Sequence, residues 1–164
     1  MTLQTAFEIA MAKVMRKYAQ LGAGVVIRTW RSLRLDGSWN EELDREFPML
    51  GISASTPGYD DGQRSMYIDV QFDARTHVDD DQDHAVITEM ETEVQRVLDI
   101  IFDKAAKPTI TGAAYDDFVE YVGELVTCHI GGMTYGEPSP PVDDGNTQSI
   151  QITMRVHYSR RIGG

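Results

Sequence analysis

Residues 65–102 read SMYIDVQFDARTHVDDDQDHAVITEMETEVQRVLDIIF, and their pattern decides the fold class. Met66, Ile68, Val70, Phe72 and Ala74 alternate with Tyr67, Asp69, Gln71, Asp73 and Arg75. A period of two places one set against a core and the other in water, which predicts a long amphipathic strand. Beyond His77 the spacing changes, and Ile87, Met90, Val94, Val97, Leu98 and Ile101 share one helical face. A strand that passes through an acidic turn into a helix predicts an α+β domain, with the helix laid on a sheet.

Outward from that stretch, the N-terminal segment predicts a helix over 2–21. Leu3, Phe7, Ala10, Met11, Val14, Tyr18 and Leu21 recur at helical steps, Thr2 or Thr5 can cap it, and Gly22 and Gly24 end it. Val25, Val26 and Ile27 open a strand running to residue 34, which also takes in Trp30 and Leu33. Residues 36–48 are acidic and irregular and predict a loop insertion. A strand over 49–55 joins the long strand as a hairpin through the turn chemistry of residues 56–62. After the second helix, Tyr115, Phe118, Val119 and Val122 predict a short helical stretch, and residues 125–130 a strand with Val126, Cys128 and Ile130 on one face. Residues 131–148, rich in Pro and Gly, predict a second loop insertion. Ile150, Ile152, Met154, Val156 and Tyr158 close the chain with another clean alternation. The expected architecture is one domain over 1–164. It has a mostly antiparallel sheet, or a mixed one, of about five strands with two main helices packed on one face.

Composition narrows the function. The 164 residues carry 26 acidic against 15 basic side chains, a formal net charge of -11. Such a balance argues against sequence-reading nucleic-acid proteins, which need clustered cations to displace phosphate counterions. Cys128 is the single cysteine, so no intrachain disulfide forms, and a reducing compartment is expected. No apolar run reaches the length of a membrane span and the N-terminus lacks a signal-peptide layout, so a soluble protein made in a cytoplasm is expected.

Residues 77–84, His77-Val78-Asp79-Asp80-Asp81-Gln82-Asp83-His84, are dense enough in carboxylate and imidazole to suggest a divalent metal. Asp79, Asp81 and Asp83 copy the opening of a calcium loop. The copy fails where His84 replaces the required glycine and Met90 the bidentate glutamate. The plainer reading is helix capping by Asp80 or Asp81, opposing the positive end of the helix dipole. Cys128 reads as a buried structural thiol rather than a nucleophile, and His129 and His157 as exposed strand residues. No serine elbow and no phosphate-cradling glycine loop is present. The C-terminal Gly163-Gly164 resembles the end of ubiquitin-like modifiers, but those domains are shorter and ordered differently. No catalytic residue and no cofactor is expected. Trp39, Tyr59 and Tyr135 fall in segments read as irregular, which makes them candidate protein-interface residues.

The sequence of elements resembles the tail terminator, or tail-completion, proteins of long-tailed bacteriophages. The likeness rests on the amphipathic opening helix, the strands at 25–27 and 49–55, the long strand at 65–77, the helix ending Val97-Leu98-Asp99-Ile100-Ile101, and the closing strand at 150–158. It is a likeness of order and length and carries no signature motif, and residues 36–48 and 131–148 exceed what smaller members contain. The resemblance implies a non-enzymatic virion protein, assembled in the host cytoplasm and placed at the head–tail junction. Its copies form a hexameric ring that caps the tail tube, stops its polymerisation and docks the head–tail connector. Its partners are then itself, the tail tube protein and the connector, while DNA passes the acidic lumen without specific binding. Two alternatives are another neck, connector-completion or minor tail protein, and a small metal-dependent hydrolase built on residues 77–84.

Overall fold

The computed structural model describes residues 1–22, 24–29, 47–60, 65–107, 109 and 112–159. The fold is α+β. Helix α1 spans Leu3–Tyr18, α2 Ala85–Ala106 and α3 Ala113–Leu125. The strands are β1 Val26–Thr29, β2 Met49–Ala54, β3 Gly58–Asp60, β4 Ser65–His77, β5 His129–Tyr135, β6 Val142–Asp144 and β7 Thr147–Ser159. They form one mixed sheet in the order β1-β2-β4-β7-β5, with β3 added to β4 and β6 to β7. Among the described strands, only β1 and β2 run parallel; the other pairs are antiparallel.

The two long alternating strands form the centre of the sheet, paired from Met66↔Tyr158 to His77↔Thr147. One face carries Ile68, Val70, Phe72, Ile152, Met154 and Val156, all buried. On it lie the apolar sides of α1 and α2, and α3 packs against both helices. Phe7, Phe118 and Tyr158 meet near the middle, with Phe7 at 5.9 Å from each of the other two rings. The opposite face bears Asp69, Gln71, Asp73, Arg75, Gln151, Thr153 and Arg155.

Thr2 is the cap of α1, accepting the Thr5 amide at 3.2 Å. The helix ends at Tyr18 rather than at residue 21, because neighbouring helices tie down its last turn. Arg96 of α2 donates to the Tyr18 carbonyl at 2.6 Å, and Glu93 accepts the Gln20 amide at 2.6 Å. Asp117 of α3 accepts from both Lys17 and Tyr18. The Arg96 contact satisfies one of the carbonyls that a helix C-terminus otherwise leaves open, and the others tie the end of α1 to α2 and α3.

The expected hairpin is present, but its strands run further. β2 pairs with Val70–Arg75 in register Ala54↔Val70 to Met49↔Arg75, and Gly58–Asp60 continue along β4 as β3 instead of turning. The short helical stretch is a full helix through Leu125, so the strand expected at 125–130 starts only at His129. The expected loop at 131–148 is mostly strand. Gly131 to Tyr135 belong to β5, Val142–Asp144 to β6, and Thr147 and Gln148 to β7. Even between β5 and β6 the backbone follows β7, through Gly136 N to Thr153 O and Ser139 N to Gln151 O. Gly145, at φ +67°, and Asn146 make the two-residue hairpin turn. Of the other expected loop, residues 36–46 lie outside the described residues, as do Trp30 and Leu33. Phe47 and Pro48, joined by a cis peptide, lead into β2.

Candidate functional site

The acidic segment at 77–84 forms a single turn of 3-10 helix, Val78–Asp80, and the entry to α2. Asp81 is 3% exposed. Its carboxylate accepts the amides of Val86 at 2.9 Å and Ile87 at 3.0 Å, the Thr76 hydroxyl at 3.2 Å and the Gln148 side-chain amide at 2.9 Å. His84 holds a left-handed backbone, φ 59°, and its Nδ1 donates to the side-chain oxygen Oε1 of Gln148. Asp81 is therefore the helix cap, reaching the first-turn amides from several residues upstream. Both of its oxygens are engaged by protein donors, as a buried capping carboxylate requires. Among the described residues, no group of three or more His, Cys, Asp or Glu is placed to hold a metal ion.

The three aromatic candidates do not come together. Trp39 lies outside the described residues. Tyr59 sits on β3 rather than in a loop and is 56% exposed. Tyr135 ends β5, where its hydroxyl donates to Asp99 and its ring meets Phe102 edge-on at 6.2 Å. That engagement fastens β5 to α2 within the chain. Cys128 is half-buried against the core but precedes β5 instead of lying on a strand face. His129 is exposed, whereas His157 is half-buried, 6.0 Å from the Tyr67 ring.

What sequence reasoning missed is the helix-free face of the sheet, which forms a concavity of about 520 Å³ over β2, β4 and β7. Strand register builds it from rungs. Ser53, Gln71 and Thr153 lie abreast across three strands, and Gly51, Asp73 and Gln151 make the next rung. Two ion pairs flank it. Asp73 accepts from Arg75 Nε at 2.8 Å, and a guanidinium terminal nitrogen of Arg75 lies 2.7 Å from the same oxygen. Arg155 grips Asp69 at 2.8 and 3.1 Å and stacks 3.9 Å from the centre of the Tyr67 ring. The other oxygen of Asp73 is buried without a hydrogen-bond partner. Burial pushes the Asp73 carboxyl above its ordinary pKa, and the Arg75 guanidinium only partly opposes that. The alternation in β4 showed which residues face away from the helices. It could not show which residues of β2 and β7 stand beside them.

The sequence matches no protein-family model, and no curated protein shows significant similarity to it.

Proposed function

We propose that this chain is a phage tail terminator, a structural subunit whose copies close into a hexameric ring on the tail tube, stop its growth and receive the head connector. The resemblance in element order supports the reading, and the observation that carries it is the asymmetry of the sheet. A ring built head to tail needs two different surfaces on each subunit that complement one another. Among the described residues, the sheet ends in two unlike edges: the short parallel strand β1 on one side, and β5 with β6 on the other. Helices cover one face, so a copy can approach either edge without disturbing the core. The net charge of -11 suits a lumen through which DNA slides, because like charges repel. The buried, hydrogen-bonded Asp81 favours a structural over a catalytic role for the acidic turn.

Native mass spectrometry with negative-stain imaging tests this, on the protein alone and after addition to polymerising tail tubes. A hexameric ring is expected, free or seated on tube ends, and chelator should leave it intact. A monomer under both conditions would overturn the proposal.

A further inference from the structure

Strand β2 begins with four buried residues in a row, Met49, Leu50, Gly51 and Ile52, whereas the outward residues Gln151, Thr153 and Arg155 of β7 are exposed. Leu50 and Ile52 face the helices. Met49 and Gly51 share the other face with Arg75 and Asp73, their partners in β4. Met49 is 2% exposed, yet it does not belong to the core beneath the helices. Arg75, beside it, is turned along its own strand to Asp73. A strand buried on both faces carries a layer on each. The helix-free face is therefore covered at β2 and open at β7.

Chain topology identifies the cover. β1 and β2 run parallel, so the residues between them must return across the sheet. Such a return takes about a dozen residues or more, and residues 30–48 exceed that. Crossovers between parallel strands of one sheet are almost always right-handed. β4 and β5 are both antiparallel to β7, hence parallel to each other, and α2 and α3 join them over the helical face. Seen from that face with β4 pointing up, right-handedness puts β5 to the right and β1 at the far left. β1 and β2 then point down, with β2 to the right of β1. A connection between them is right-handed only if it passes behind the sheet, over the helix-free face. The helical side is also taken, because α1 packs on both strands there.

We propose that residues 30–46 cross the helix-free face over β1 and β2 and cover Met49 and Gly51. That stretch brings apolar side chains for the purpose: Trp30, Leu33, Leu35, Trp39 and Leu43. A partner reaching this face then meets the polar rungs of β4 and β7 and not the apolar start of β2. The assignment stands whether or not copies of the chain close into a ring.

The experiment is NMR of the unaltered full chain, in a sample mixing isotope-labelled and unlabelled copies. Side chains of residues 30–46 should give nuclear Overhauser contacts to the Met49 methyl group, within one copy. Peroxide oxidation supplies a second reading, because forming the sulfoxide needs access to the thioether. Met49 should oxidise far more slowly than Met1, which is 70% exposed. Replacing residues 33–44 with a short glycine-serine linker should raise the Met49 rate at least about tenfold. The NMR arm does not depend on that variant folding. Contacts from residues 30–46 to the helices instead of Met49 would overturn the proposal, and so would contacts to Met49 from a second copy. An unchanged Met49 rate in a folded, shortened chain would overturn it as well.

Discussion

At Asp81 one carboxylate meets two needs: it accepts the open amides of Val86 and Ile87, and it receives the buried donors of Thr76 and Gln148. An exposed cap is worth about 1 kcal/mol. A buried one whose loss strands several donors costs more, and Asp81→Ala should destabilise the protein by about 3 kcal/mol in urea unfolding. A loss under about 1 kcal/mol would mean that water replaces the carboxylate. Asp73 gives the opposite case. Its folded pKa is raised above 3.8, so the ionised form costs stability at neutral pH, and the cost is relieved as pH falls through the raised value. Asp73→Asn should therefore gain stability relative to the parent at neutral pH, and the gain should shrink as the solution is acidified. Urea midpoints of the two proteins across that range check it. The cap at Asp81 was legible because three aspartates precede an apolar helical pattern. Its partners Thr76 and Gln148 were not, since no local pattern announces that positions so far apart will share a buried site.

Among elements, β3 shows how a turn signal is overridden by pairing. Thr56-Pro57-Gly58 reads as turn chemistry, yet Gly58 lies opposite Tyr67 and lets that ring pack directly on its backbone. A Cβ at Gly58 would fall 2.4 Å from the ring, too close without movement. Gly58→Ala should cost about 1–2 kcal/mol. The same change in a Tyr67→Ala background should cost far less, and a double-mutant cycle measures the difference. Additive losses would show that the ring is not what demands glycine. The long elements were plain in the sequence because their apolar periodicity persists for many residues, as in β4, β7 and α2. Residues 131–148 were misread because Gly131, Gly132 and the prolines mask an edge strand, whose residues face water too often to alternate cleanly. The register shift between Ile130 and Met133 breaks the period further.

For the whole molecule, a net charge of -11 sets a background of self-repulsion against which the surface ion pairs contribute little. Screening should relieve it: raising ionic strength from a low value to moderate salt should lift the melting temperature by about 2–4 °C, equivalent to about 1 kcal/mol. A fall with salt would mean that pairs such as Lys17–Asp117 and Arg155–Asp69 outweigh the repulsion.

The central place of β7 has a consequence for synthesis. It follows every other described strand, yet it lies between β4 and β5 and joins the two halves of the sheet. While the ribosome is still translating residues 147–159, β4 has a long unpaired border and its apolar side chains lack their neighbours. The nascent protein must be shielded from sticking to others until that closing strand emerges, and a message cut short before codon 147 should yield aggregates instead of a smaller folded product.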